Sequence, residues 1–308
     1  MDILPNNLLV ILGPTASGKT SVAAHWAHHH NGEIISADSR QVYRGMTIGT
    51  GKDYADYVVN QMPVTYHCID IVDPGYQYNV YEYQKDFLAA FSEVSGKDKV
   101  PVLCGGSGLY IEAAISGYRL IQVPVNEELR KMLDEKSDEE LLSLLSSLKS
   151  LHNRSDTDTR KRMVRAIEIA SYQAVHPDVD TGYPDIRPLI IGVKYDRESR
   201  RRRITERLKQ RLDSGMIQEA EQLLEAGLTP GQLEYYGLEY KYLSLYLTGQ
   251  LNYQQMFDQL NTAIHQFAKR QMTWFRRMER NGHKIWWLDG YAPMEQKMQR
   301  ISDIVKAP

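Results

Sequence analysis

Eight residues, Gly13-Pro14-Thr15-Ala16-Ser17-Gly18-Lys19-Thr20, follow the apolar run Leu8–Leu12 and lead into Ser21–Trp26, which reads as the first turns of a helix. A glycine-containing loop between a strand and a helix makes a phosphate cradle. Its backbone N–H groups turn toward an anion, the helix N-terminus adds the positive end of its dipole, and Lys19 reaches phosphate oxygens. The Thr20 hydroxyl is placed to ligate Mg²⁺. The pattern selects a polyphosphate ligand without saying what the phosphate is attached to.

A second constellation follows the next apolar run, in Ile34-Ile35-Ser36-Ala37-Asp38-Ser39-Arg40-Gln41 and on to Thr50. Asp38 ends a strand near the phosphate loop, and three roles are open to it: an acid holding Mg²⁺ through water, a general base for a nucleophile brought to the phosphate-bearing substrate, or an Asx cap on the following loop. A third apolar run, Val100–Cys104, ends in Gly105-Gly106-Ser107. The Ser107 hydroxyl is a candidate contact to substrate or an N-cap of the helix that follows.

These residues must be positioned by a scaffold, and the chain spells one out. Apolar, β-rich segments at Leu8–Gly13, Glu33–Asp38, Val64–Asp70, Val100–Gly105 and Pro188–Tyr195 alternate with helical patterns at Lys19–His30, Tyr81–Ser95 and Leu109–Ser116. Such alternation predicts an α/β fold: a phosphate-loop-containing parallel sheet flanked by helices. In open sheets of this kind the ligand lies beyond the carboxyl ends of the strands, where Gly13, Asp38 and Gly105-Gly106-Ser107 all fall. Between Gly117-Tyr118-Arg119 and Pro188 the pattern changes to the Ser/Leu/Lys/Glu-rich stretch Asn126–Leu151, a basic helix Arg160–Ala170, and punctuation at Pro177, Gly182 and Pro184. This predicts a small helical insertion lobe, residues 118–187, in a core made of residues 1–117 and 188–308. After Arg197 the chain reads as helical to Arg280, with a last strand at Lys284–Asp289.

With 308 residues, 42% hydrophobic and 25% charged, the composition is that of a globular protein. The first residues lack a basic leader, and no apolar run approaches the ~18 residues of a membrane span, so a cytoplasmic location with no membrane association is expected. Cys68 and Cys104 sit in apolar segments and read as buried thiols. His25, His28, His29 and His30 fall at a helix end, where cationic side chains favour the dipole over a metal site. The net charge of −2 disfavours nucleic acid as a partner, yet the cations are clustered. Arg160, Lys161, Arg162 and Arg165 lie close together, Arg200 to Arg203 are consecutive, and Lys269, Arg270, Arg276, Arg277 and Arg280 share one predicted helix. Each cluster is either a solvated helix face paired to nearby acids or a surface for phosphate backbones.

Taken together, GPTASGKT, ADSRQVYRGMTIGT, GGSGLYIEA (Gly105–Ala113), RMVRAIE (Arg162–Glu168) and FAKRQMTWFR (Phe267–Arg276) resemble the bacterial tRNA dimethylallyltransferases, also called tRNA isopentenyltransferases. The resemblance covers most of the chain and is weakest across the insertion. It implies transfer of a dimethylallyl group from dimethylallyl diphosphate to the exocyclic amine (N6) of the adenosine immediately 3′ of the anticodon, with diphosphate released and Mg²⁺ as cofactor. An adenine amine is a weak nucleophile because its lone pair is delocalised, which makes Asp38 the candidate general base. The diphosphate falls to Gly13–Thr20, with Lys19 and, by family similarity, Arg203 neutralising its developing charge. Ser107 stands where the family usually has threonine and keeps the hydroxyl. The modified base must leave its stack, so Asp38, Ser39, Arg40 and Gln41 are candidate contacts to the extruded adenosine. Arg162, Arg165, Lys269, Arg270 and Arg276 are candidates for gripping the tRNA backbone, with the protein acting as a monomer.

The chain departs from the family pattern at Thr50-Gly51-Lys52-Asp53, where threonine-alanine-lysine-proline is usual, at Asn79 in place of serine, and in Tyr236–Tyr240, a loose version of glycine-tyrosine-lysine-glutamate. Three other readings share parts of the pattern: dimethylallyl transfer to a free adenine nucleotide, a phosphate-loop small-molecule kinase, and a non-catalytic RNA-binding protein.

Overall fold

The computed structural model describes residues 6–118, 120–149, 156–176 and 182–306. The chain divides into two compact units, residues 1–118 with 184–308 and residues 119–183.

The first unit is built on a six-stranded sheet in the order β5-β2-β6-β1-β7-β8. The strands are β1 (Leu8–Leu12), β2 (Gly32–Ala37), β5 (Tyr66–His67), β6 (Val100–Gly105), β7 (Pro188–Lys194) and β8 (Ile285–Asp289), and every pairing in the sheet is parallel. A separate two-stranded ribbon pairs β3 (Val58–Val59) with β4 (Met62–Pro63). Along β1, Leu8, Val10 and Leu12 enter one hydrophobic core and Leu9 and Ile11 the other, the period-two alternation of a strand buried on both faces. The larger core gathers α2 (Val80–Gly96), α3 (Gly108–Ile115) and the C-terminal helices α7 (Arg197–Asp213), α8 (Met216–Glu225), α9 (Pro230–Tyr235), α10 (Leu238–Leu247) and α11 (Tyr253–Arg280). The smaller packs α1 (Lys19–His29) and α12 (Met294–Lys306) on the opposite face.

Sheet order fixes where a ligand can bind. From β1 the chain crosses to β2 and β6 on one side and later reaches β7 on the other, so β1 sits at the point where the winding reverses. A crevice opens there at the carboxyl ends of the strands. The α11 helix spans 28 residues and buries Met256, Leu260, Ile264, Ala268, Met272 and Phe275 at helical spacing, which lays it along the larger core and delivers its middle to that crevice.

The second unit consists of α4 (Glu127–Asp134), α5 (Asp138–Leu148) and α6 (Arg160–Val175) around a small core of Leu133, Leu141, Leu145, Met163, Val164 and Ile167. Arg119, Pro177 and the end of the Asn126–Leu151 stretch lie outside the described residues.

Two local expectations change. The apolar run Val64–Asp70 yields a strand only at Tyr66–His67, because Cys68 (φ 60°) and Asp70 (φ 54°) adopt left-handed backbone, which no strand can continue through. After β8 the chain adds α12, whose Ile301 and Ile304 close the smaller core. Asn79 caps α2 as serine would, accepting the N–H groups of Tyr81 (3.0 Å) and Glu82 (3.2 Å), so that departure from the family pattern is conservative. Both cysteines are free, and burial pushes each thiol up to about 12, leaving them protonated. Among the described residues no helix is long and apolar enough to cross a membrane.

Candidate active site

The phosphate loop runs from the end of β1 to α1. Ala16 (φ 61°) and Gly18 (φ 76°) take left-handed backbone, and Gly18 is the N-cap of α1. The Ser17 N–H donates to the Pro14 carbonyl (3.3 Å), closing the turn. A Cβ on Gly13 would lie 2.6 Å from Ser17 Oγ and 2.7 Å from the Val193 carbonyl oxygen, so the loop folds back against β7 only with glycine at its start. Ser17 Oγ is buried without a hydrogen-bond partner among the described residues.

One amide from α11 fastens this loop to the next strand end. Gln271 Oε1 accepts the Thr15 N–H (2.9 Å) while its Nε2 donates to the Gly106 carbonyl (2.9 Å). Trp274 packs on Gly108, and Arg277, stacked on Trp274, pairs with the buried Glu112 of α3. The FAKRQMTWFR stretch is therefore the clasp of the crevice.

Asp38 lies just past β2. Its Oδ1 accepts the Arg40 N–H (3.0 Å) in an Asx turn, and its Oδ2 has no hydrogen-bond partner among the described residues. The two oxygens thus divide the work: one fixes the carboxyl, the other stays open. Ser107 Oγ accepts the Ser39 N–H (3.1 Å), and the Ser107 N–H donates to Ala37 O (3.2 Å). Ser107 occupies the N-cap position of α3 without capping it through its side chain. Its hydroxyl proton remains to be donated.

Lys19 is part-buried, and burial lowers its pKa, with Asp38 opposing the shift and Arg207 and Arg211 adding to it. Arg203, Arg207 and Arg211 recur every four residues on α7 and share one face. Arg203 donates from Nε to the Ala16 carbonyl (3.0 Å) and stacks on Tyr195, holding the phosphate loop from its flank. Arg207 reaches Thr15 Oγ1 (3.5 Å) and pairs with Asp53. That spacing is visible in the sequence, and a helical projection from Arg203 would have drawn out Arg207 and Arg211.

Loop 45–53 is held by a residue with no sequence signature. Glu219 of α8 accepts the N–H groups of Thr47, Ile48 and Gly49, each at 2.8 Å, and the Tyr240 hydroxyl at 2.6 Å. A Cβ on Gly49 would lie 2.6 Å from the Tyr240 ring, so this position also requires glycine. Replacing Glu219 with alanine strands three backbone donors in a part-buried site, each costing about 1–3 kcal/mol where water cannot reach. A drop in unfolding free energy of about 2–4 kcal/mol is expected from urea denaturation. A loss below about 0.5 kcal/mol, the level of an ordinary surface change, would contradict the anchoring role.

The candidate RNA contacts differ in what they already hold. The Arg40 guanidinium lies over the Tyr235 ring (5.3 Å), and the Gln41 amide sits between Ser36 Oγ (3.2 Å) and the Gly51 carbonyl (3.1 Å). Lys269, Arg270 and Arg276 are exposed and have no ion pair among the described residues. The nearby positive charges of Arg276 and Arg197 add to burial in lowering the pKa of Arg200. In the second unit, Arg162 is exposed and pairs with Asp158 (3.1 Å), whereas Arg165 bonds Glu168 and the Val123 carbonyl and so braces its own unit.

Among the described residues no cluster of three His, Cys, Asp or Glu side chains is arranged for a metal. The donors at the loop, the Thr20 hydroxyl and the Asp38 carboxylate, are hard oxygens. One or two such ligands completed by phosphate oxygens and water are what Mg²⁺ takes.

Residues 41–278 match the family model described as IPP transferase. A tRNA dimethylallyltransferase 2 of Bacteroides fragilis is 58% identical over 97% of this chain and 98% of that protein. The crystal structure of the full-length tRNA isopentenylpyrophosphate transferase from Bacillus halodurans superposes with a TM-score of 0.70 at 30% identity, covering 97% of this chain and 95% of that one. A eukaryotic dimethylallyltransferase captured acting on tRNA shares the fold, with a TM-score of 0.77 at 21% identity over 96% of this chain and 77% of that one. Matched by this family model over residues 41–278 and by a 58% identical relative over 97% of its length, the chain belongs to the IPP transferase family.

Proposed function

We propose that this chain transfers the dimethylallyl group of dimethylallyl diphosphate to the N6 amine of the adenosine immediately 3′ of the anticodon of tRNA, as a cytoplasmic monomer. The observation that carries the reading is Asp38: one carboxylate oxygen pinned by the Arg40 N–H, the other open, at a strand end beside the phosphate loop. As the amine nitrogen bonds to the allylic carbon, the carbon–oxygen bond to diphosphate breaks and its electron pair stays on the diphosphate. The surplus amine proton passes to the open oxygen of Asp38. The loop N–H groups and Lys19 bind the leaving group, Arg203 keeps the loop in shape, and Ser107 supplies a hydroxyl donor. Thr20 would hold Mg²⁺, which when bound offsets negative charge on the diphosphate oxygens.

The adenosine must be extruded to reach Asp38, and Ser39, Arg40 and Gln41 line the approach. Lys269, Arg270 and Arg276 grip the RNA backbone, and Arg162 and Arg165, on the second unit, are further tRNA contacts in this reading. A mononucleotide would have no use for these cations. The reading is tested by supplying labelled dimethylallyl diphosphate and Mg²⁺ with either unmodified tRNA or AMP. Label in tRNA is expected, and its appearance in AMP alone would overturn the assignment of the acceptor.

A further inference from the structure

Arg211 is part-buried, with 13% of its side chain exposed, and its Nε and Nη2 are shielded from solvent yet lack any hydrogen-bond partner among the described residues. The nearest carboxylates, Asp53 (3.8 Å) and Glu239 (4.0 Å), stand beyond hydrogen-bond length. Burying charged donor N–H groups without a hydrogen-bond partner is costly, and such groups call for a water, ion or ligand that completes them.

Gly51 makes room for the guanidinium. A Cβ on Gly51 would clash with Arg211 Nη2, and its φ of +72° already disfavours other residues. Gly51 and Asp53 on one side and Glu239 on the other border the Arg211 side chain.

The surroundings define the anion it receives. Burial, then the positive charge of Arg207, brings Arg211 to about 10, so it remains charged at neutral pH. Glu239 is pushed up by burial, which weakens it as a counter-charge. Lys19 feels both Arg207 and Arg211, and Arg207 reaches the phosphate loop at Thr15. A single phosphate in the loop would engage Lys19 and the backbone donors but leave the arginines of α7 unanswered. An anion with a second phosphoryl group answers both.

We propose that Arg211 touches substrate: its unpartnered guanidinium N–H groups hydrogen-bond the diphosphate of the allylic donor and of the product, together with Lys19 and Arg207. This rests on the transferase reading, and the two are separated by measuring binding rather than turnover.

Inorganic diphosphate with Mg²⁺ is titrated into wild type and into Arg211→Met by calorimetry, with tRNA titrated in parallel. Loss of hydrogen bonds to a charged group predicts a rise of about 10–100-fold in the Kd for diphosphate. The Kd for tRNA stays unchanged. Arg211→Lys, which keeps the charge but not the fork, is expected to recover part of the affinity. Should Arg211→Met fail to fold, Gly51→Ala displaces the guanidinium while retaining its charge and is held to the same comparison. Equal diphosphate affinity in the folded variant and wild type, or weakened tRNA binding with diphosphate binding intact, overturns the role of Arg211. Wild-type protein that binds no diphosphate overturns the transferase reading itself.

Discussion

Asp38→Asn is expected to lower kcat about 10²–10⁴-fold, the usual contribution of a positioned base, while KM for tRNA and for the donor changes little. The substitution isolates the base from the turn. Asparagine accepts the Arg40 N–H in the same Asx geometry that Asp38 Oδ1 uses, so the loop through Ser39 and Gln41 is kept, but an amide cannot take a proton at neutral pH. Asp38→Ala removes both, and its further loss beyond Asp38→Asn measures what the turn contributes to orienting the site. Single-turnover rates with saturating tRNA make the comparison free of product release. If Asp38→Asn retained more than about a tenth of the wild-type rate, Asp38 would be acting in the turn and not as a base.

Lys19→Met carries the second large effect, a fall in kcat/KM for the donor of about 10²–10³-fold, equivalent to about 3–4 kcal/mol of lost stabilisation on the leaving diphosphate. The stability of the fold is expected to move the other way. Burial lowers the Lys19 pKa, which means that the charged ammonium is disfavoured in the folded protein relative to the unfolded chain. That penalty is present at neutral pH and is relieved as pH rises through the lowered pKa. Methionine never carries it, so Lys19→Met should melt at or above wild type in thermal denaturation while losing activity, the trade-off of a site strained for function. A variant that melts well below wild type would show instead that Lys19 holds the loop together.

How much of this was legible in the chain follows from how local each determinant is. The phosphate loop was readable because strand, loop and helix N-terminus are contiguous. Asp38 and Ser107 were readable through topology, since parallel strands bring their carboxyl ends to one edge. Gln271 was within a motif that stood out, yet its partner Thr15 lies 256 residues away, and nothing in the spacing could reveal that pairing. Glu219 is equally hidden: a carboxylate that accepts three backbone N–H groups 170 to 172 residues away has no local pattern to announce it. The run Val64–Asp70 misleads for another reason, because hydrophobicity records burial but not the left-handed backbone at Cys68 and Asp70.

The arginines of α7 show where a helical reading and a family reading diverge. Similarity drew attention to Arg203 alone, whereas the helix puts Arg203, Arg207 and Arg211 on one face, with Arg203 bonded to the loop carbonyl of Ala16 and Arg207 reaching Thr15. Family membership leaves the small-molecule kinase reading without support. It fits the absence of a carboxylate in Gly105-Gly106-Ser107, where a metal-holding acid would otherwise be sought.

The central claim is that an adenosine of tRNA is the nucleophile and Asp38 its base. It is tested most directly by reacting unmodified tRNA with dimethylallyl diphosphate and Mg²⁺, digesting the RNA, and locating the added group by mass spectrometry. The account predicts one dimethylallyl group on the adenosine immediately 3′ of the anticodon with wild-type protein and almost none with Asp38→Asn. A modified nucleoside elsewhere in the RNA, or equal modification by Asp38→Asn, would contradict it.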